Sequence, residues 1–366
     1  NTYNVAVGYA AGEAVTTGVQ NTLIGGLAGD ALTDADQNAA FGVSALGSDT
    51  LGNRSTAIGT NALADQNFTT ATDTYNVAVG YNAGAATTTG TQNALIGGLA
   101  GDAITTGGGN IALGYGTLTN DTKGSSAIAI GTLALLSQNF TTAVASYNVA
   151  IGEQTGRNIT TGIRNTLIGG LAGDAITDAD NNVAVGTNAL GTNQLGSANI
   201  AIGRLALGTM NPATAANTYN TAVGADAGYA ITTGVQNTIV GGLAGDAMTT
   251  GDSNTFIGYF AAGNGIVTGD TNTAVGVSAG LALTSGSNNL LLGKDAGRTG
   301  SPGGNLTTAS NSIRLGDENI VECQIQVDWT IASDERDKTD FAALDLGLDF
   351  VKALAPVTYK WDKRSK

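Results

Sequence analysis

A five-residue phrase, Asn-x-(Ala/Leu)-(Val/Ile)-Gly, returns along most of the chain and constrains its fold more than any other feature. It runs from Asn4 to Gly8, Asn21 to Gly25, Asn38 to Gly42 and Asn76 to Gly80, and with small departures as far as Asn289 to Gly293. The closing glycines are spaced by 17 residues, with a 21-residue step after Gly59, Gly131 and Gly203 and an 18-residue step after Gly258. A longer period of 72 is superimposed, on which Gly8, Gly80, Gly152 and Gly224 fall. A fixed period this short predicts a stack of near-identical coils, each contacting only its neighbours.

The repeat overrides the two or three globular domains that 366 residues would otherwise suggest. Glycine is abundant at 55 residues, but with three prolines and no three-residue period a collagen helix is excluded. There is no histidine and one cysteine, Cys323, which rules out a disulfide framework, a Cys/His zinc site and any triad built on histidine. A net charge of −14 argues against nucleic acid and against adsorption to an anionic membrane surface. No apolar run approaches the ~20 residues needed to span a bilayer, and no signal peptide is visible. The chain opens at Asn1, inside a repeat and without a methionine, and reads as a fragment of a longer protein.

Within one coil, Val5-Ala6-Val7, Thr22-Leu23-Ile24 and Ile200-Ala201-Ile202 alternate sides and are apolar on both, the pattern of a strand covered on two faces. The following glycine supplies a backbone corner. A second strip of small residues comes next, as at Ala11-Gly12, Ala28-Gly29 and Ala45-Leu46, and a Thr-Thr-Gly or Thr-Asp turn closes the coil. The expected unit is therefore two short strands and two turns, too small for a wide three-sided β-helix. The predicted fold is all-β: a parallel β-roll or β-solenoid of about 17-residue coils. Coils stacked ~4.8 Å apart, ending with a degenerate one at Ile313-Arg314-Leu315-Gly316, predict a rod on the order of 85 Å long. The recurring asparagines are read as a hydrogen-bonded ladder. So thin a core leaves the second face of the strand uncovered, and an intertwined or side-by-side homotrimer is expected to bury it.

Other residues invite chemistry. Asp30, Asp102, Asp174 and Asp246 recur every 72 residues, about 19 Å apart along the rod, too far to share a cation. Asp34/Asp36 and Asp178/Asp180 form Asp-x-Asp pairs but lack the glycine-rich signature of calcium-binding β-rolls, so no metal site and no cofactor is assigned. Tyr3, Tyr75, Tyr147 and Tyr219 are expected to pack beneath the longer loops, such as Asp65 to Thr74 and Ser137 to Ser146, where surface chemistry can vary. A glycosidase cleft needs paired carboxylates and aromatic walls, and the aromatics are few. Ice binding is set aside, because consecutive threonines on a strand point to opposite sides.

The repeat phrase resembles the head repeats of trimeric autotransporter adhesins, and its longer form, Asn-Thr-Leu-Ile-Gly-Gly-Leu-Ala-Gly-Asp-Ala, looks more like repeats of bacteriophage tail-fibre proteins over roughly residues 1–300. After Asn311 glycine falls away and charges crowd in through Ser333-Asp334-Glu335-Arg336-Asp337-Lys338. Leu348-Asp349-Phe350-Val351-Lys352-Ala353-Leu354 and Pro356-Val357-Thr358-Tyr359 follow, an order similar to the start of the endosialidase-type intramolecular chaperone of phage tail fibres and tailspikes. That resemblance implies a self-cleavage junction at Ser333 and Asp334, assisted by Lys338. A lysine can take a serine proton where no histidine exists; the plainer alternative is a Ser-Asp helix cap before a solvated charge run.

The division expected is a β-roll shaft over 1–309, a β junction or neck over 310–332, and the N-terminal part of a chaperone over 333–366, a short α+β segment. The resemblance implies a virion tail fibre or appendage. Its partners would be itself as a homotrimer, other virion tail proteins and a host cell-surface glycan or protein, with no nucleic acid and no membrane insertion. The alternatives are the head of a bacterial cell-surface adhesin and a polysaccharide-degrading tailspike. No substrate-directed enzyme is expected, only autoproteolysis at Ser333-Asp334.

Overall fold

A computed structural model describes residues 3–324 and 326. By contact density the chain divides into two units, Asn1–Ile320 and Val321–Lys366. The first is a parallel β-solenoid. Its main sheet has 18 strands of three residues, one per coil, from Val5–Val7 to Ile313–Leu315. Each strand pairs in parallel with that of the next coil, so Val5, Ala6 and Val7 stand over Thr22, Leu23 and Ile24. There is no helix among the described residues. The α+β segment expected at the C-terminus lies outside them.

The strand's middle residue faces inward. Leu23, Ala40, Ala57, Ala78 and Leu95 are each at most 1% exposed, and the core column continues as aliphatics with one Phe256 as far as Leu291, before Arg314 in the last strand. Burying a leucine such as Leu95 contributes roughly 2–3 kcal/mol. The corner glycines stack on one another. Gly8 and Gly25 have φ of +137° and +138°, and a Cβ on either would collide with the carbonyl of the next corner. Any larger residue there would meet both conformational strain and backbone.

The expected second strand does not form. After the corner the chain turns instead, with Leu27 and Gly29 at φ of +59° and +55°. This strip is nevertheless tied to both neighbouring coils: Leu27 N–H donates to Tyr9 O (2.8 Å) and Gly29 N–H to Ala45 O (2.9 Å). A left-handed residue points successive peptide groups along the stack without extending the chain. Such conformations recur at three places per coil, as at Gln37, Ser44 and Leu46 (φ +60°, +54°, +56°). Each costs on the order of 1 kcal/mol or more, which persists only because stacking over-determines the backbone.

The asparagine ladder is present, but its main partner is backbone. Asn21 Oδ1 accepts Asn38 N–H (2.9 Å), while Asn21 Nδ2 donates to Ala35 O (2.7 Å). Direct amide-to-amide bonds join it further along, as from Asn199 to Asn182 (3.1 Å) and from Asn289 to Asn272 (2.9 Å). All these asparagines are buried, and each completes groups that the narrow coil would otherwise strand.

Candidate functional site

Ser333, Asp334 and Lys338 lie outside the described residues, so the geometry available is that of the solenoid's loops and faces.

The 72-residue unit alternates two pairs of coils. In one pair the fourth residue after the corner is glycine and the seventh is apolar except at Thr87, as with Gly29 and Leu32 or Gly101 and Ile104. A Cβ on Gly29 would lie 2.8 Å from Leu32 Cδ1 and from Leu23 Cδ2, so these leucines already fill the interior. In the other pair a leucine, Leu46 or Leu63, sits at that fourth position and is fully buried. The seventh position is then free to be polar: Asp49 and Gln66 in the first unit, Asp121 and Gln138 in the second.

These polar residues anchor the 21-residue coils. Asp49 is fully buried; its Oδ1 accepts N–H groups of Gly52 and Phe68 (both 3.1 Å) and its Oδ2 accepts from Gln66 Nε2 (2.6 Å). Gln66 also donates to Ser55 Oγ (2.8 Å) and accepts from Asn76 Nδ2 (2.8 Å). Asp121, Gln138, Phe140 and Asn148 repeat the arrangement. Burial pushes the Asp49 carboxyl above the ordinary aspartate range, against the Gln66 amide and the Phe68 and Gly52 N–H groups, which favour its charged form. The third unit differs: Asn193 Oδ1 accepts Gly196 N–H (2.9 Å) and Asn193 Nδ2 donates to Gly196 O (2.7 Å), with Met210 and Pro212 in place of glutamine and phenylalanine.

Above each anchor the extra residues form a two-stranded parallel sheet: Gly52–Asn53 with Thr72–Asp73, Gly124–Ser125 with Val144–Ala145, and Gly196–Ser197 with Ala216–Asn217. The residues packed beneath the first two bulges are Phe68 and Phe140, 6% and 5% exposed. Tyr3, Tyr75, Tyr147 and Tyr219 do not pack there. They are 51–73% exposed, at a left-handed position just before the ladder asparagine that turns the side chain outward. Tyr75 instead takes a hydrogen bond from Arg54 (2.8 Å), whose guanidinium lies 5.6 Å from its ring centroid and also pairs with Asp73.

The Asp-x-Asp pairs are hydrogen-bond acceptors. Asp36 Oδ1 accepts Val19 N–H (2.8 Å) and Asp180 Oδ1 accepts Ile163 N–H (2.7 Å) from the preceding coil. Asn53 Oδ1 and Ser197 Oγ do the same for Asp36 and Asp180 (2.8 and 2.9 Å). Interchange of aspartate, asparagine and serine at one position fits an acceptor rather than a cation ligand. The hydroxyls of Thr160 and Thr161 hold the Asp178 carboxyl below the usual range. No group of three or more metal-ligating side chains occurs among the described residues. Asp102 and Asp246 each keep one buried carboxylate oxygen without a partner, and burial raises both.

The threonine pairs sit on a bend, and both members of Thr16-Thr17 are exposed. The first hydroxyl is used within the stack, Thr16 Oγ1 to Thr33 O (3.1 Å) and Thr33 Oγ1 to Thr50 O (3.1 Å). The pairs therefore do not alternate along a strand as expected.

Residues 333–366 match the family model described as the chaperone of endosialidase. No curated protein matches the chain.

Proposed function

We propose that this chain is the shaft of a homotrimeric bacteriophage tail fibre, ending in the start of a self-cleaving trimerisation chaperone. The observation that carries the reading is the order of parts: a long parallel β-solenoid followed by a match to the chaperone of endosialidase at 333–366. On this reading 1–309 is the shaft, 310–332 the junction and 333–366 the beginning of the chaperone. The shaft holds a recognition element away from the virion, and its bulges, which differ most from coil to coil, contact the host surface. The alternative of a polysaccharide-degrading tailspike loses support because the buried carboxylates, Asp49 and Asp121, are committed to holding loops.

At the junction the Ser333 hydroxyl, its proton taken by Lys338, attacks the neighbouring peptide carbonyl; the amine leaves with that proton and water hydrolyses the resulting ester, Asp334 being the other half of the cleavage pair. Protein expressed from the complete gene should separate into two pieces split next to Ser333, and Ser333→Ala should remain whole. A Ser333→Ala protein that still divides at that point overturns the assignment. The homotrimer is checked by sedimentation of the same protein, where a one-chain mass would reject it.

A further inference from the structure

Asp30, Asp102, Asp174 and Asp246 each close a Leu-Ala-Gly-Asp bend, five residues past a corner glycine. In the first unit Asp30 Oδ1, Leu27 O and Ser44 O converge from two successive coils. They lie 3.5, 3.6 and 3.3 Å from the point that a Cβ on Gly47 would occupy. Among the described residues no hydrogen-bond donor reaches any of the three. Acceptor oxygens gathered in this way are stabilised by a donor or a cation placed among them. The other units supply that partner from the chain or cover the place. In the second, Thr119 stands where Gly47 stands, and its Oγ1 donates to Leu99 O (3.3 Å), the counterpart of Leu27 O. In the third, Gly191 N–H donates to Asn188 O (3.2 Å), the counterpart of Ser44 O. There the positive Arg157 stands in the coil before Asp174, opposing the rise that burial gives its carboxyl. In the fourth, Asp246 Oδ1 and Leu243 O lie 2.9 and 2.8 Å from the Gly263 point, but Phe260 Cδ2 covers it at 2.5 Å.

The first unit has none of these. Where the third carries Arg157 it carries Glu13, which is exposed, so two carboxylates follow each other up the stack ~4.8 Å apart. We infer that this bend binds a hard divalent cation of the calcium class, held by Asp30 Oδ1, Leu27 O and Ser44 O, with Glu13 adding negative charge from the coil before. Two carboxylates and two backbone carbonyls make the donor set, with water completing it. Calcium accepts such a mixture in irregular geometry, whereas magnesium demands a near-ideal octahedron. Bringing the oxygens to the roughly 2.3–2.6 Å of a calcium contact asks a shift of about 1 Å, in a bend flanked by Gly26, Gly29 and Gly47. The bound ion would clamp two coils together at a place where the chain supplies no hydrogen bond of its own. So few charged ligands give a dissociation constant on the order of 10⁻⁴–10⁻³ M, the range of extracellular calcium modules.

The test titrates calcium chloride into chelator-stripped protein expressed from the complete gene, read by calorimetry and by thermal melting. Asp30→Asn removes the carboxylate at constant size. Gly47→Thr copies the second unit, placing a Cβ and a hydroxyl among the oxygens as Thr119 does, so the coil accepts it. Asp102→Asn, beside Thr119, is the control. The parent and Asp102→Asn should each bind one calcium per chain more than Asp30→Asn and Gly47→Thr, with affinity in those two weakened at least tenfold. Added calcium should raise the melting temperature of the first two only. A parent that binds calcium no better than Asp30→Asn and Gly47→Thr overturns the site and leaves water as the bridge between these oxygens. Binding lost in Asp30→Asn but kept in Gly47→Thr seats the ion away from Leu27 O and Ser44 O, and the coil-to-coil clamp falls.

Discussion

In the first bulge a buried carboxylate, Asp49, gathers the N–H groups of Gly52 and Phe68 and the amide of Gln66. In the third bulge Asn193 satisfies itself on Gly196 alone, Met210 supplies no amide, and Pro212 has no N–H to offer. A fourth position shifts with them. Where the first bulge has Ser55, the third has Asn199, whose Oδ1 accepts Asn220 N–H (3.0 Å) and restores the asparagine ladder. In the first bulge Thr74 Oγ1 stands in for that missing ladder amide by accepting Asn76 N–H (3.4 Å), and Gln66 accepts from Asn76 Nδ2. What is kept between bulges is the match of donors to acceptors, not the residues. A buried charge is tolerated only together with the three donors that surround it.

The largest loss is expected when one member of the network is changed alone. Gln66→Met removes the only side-chain donor to Asp49 among the described residues and should destabilise the first bulge by about 3 kcal/mol, roughly a hundredfold loss of amide protection at Gly52 and Phe68 by hydrogen exchange. Unchanged protection would mean that the network does not hold the loop. Next in size is Gly52→Ala, whose new Cβ would fall onto the Asp49 carboxylate, at a loss of about 2 kcal/mol by denaturant melting. Gly196→Ala should lose less. Its Cβ meets Asn193 Oδ1 at 2.7 Å and Met210 Cε at 2.8 Å, and the methionine end can swing aside.

Acidity separates the bulges further. Unfolded Asp49 titrates near the ordinary value of 3.8 and folded Asp49 above it, so the folded state binds the proton more tightly. Stability from this group is therefore fully present below 3.8 and is lost as pH rises through the folded value. Protection of the first bulge should increase, relative to the third, as pH falls from neutrality toward 3.8, and Asp49→Asn should abolish that increase. The smallest effect is expected from exchanging the whole set. Ser55→Asn, Asp49→Asn, Gln66→Met and Phe68→Pro together should leave stability within about 1 kcal/mol of the parent, because partners are replaced along with the groups they served. A combined loss as large as that of Gln66→Met alone would show that the pieces do not act as a set.

Much of this was legible in the phrase itself. The period set the coil, the glycine marked the corner, and the alternation in Thr22-Leu23-Ile24 put Leu23 inside. The second strand was misjudged because left-handed residues such as Leu27 and Leu46 carry no sequence mark of their conformation; leucine is unusual there and only stacking permits it. The outward tyrosines were misplaced for the same reason, since Tyr75 sits at φ +51°. The bulge anchors went unread although their signal was present: wherever the fourth residue after the corner changes from glycine to leucine, the seventh turns polar in most coils. Comparing coil with coil at fixed offsets, rather than seeking motifs, would have exposed Asp49 and Gln66. Ser333 rests on resemblance and on the family match at 333–366, because a serine followed by a charged run has no geometry of its own.

Each strand residue lies in strict register over its equivalent in the next coil. Because both ends of a 72-residue unit present the same edge, a unit can be gained or lost by recombination within a gene without a new interface being invented. Each such event would change reach by about 19 Å, four coils of stacking. Span is thus a quantity this architecture can alter in discrete, ready-made steps.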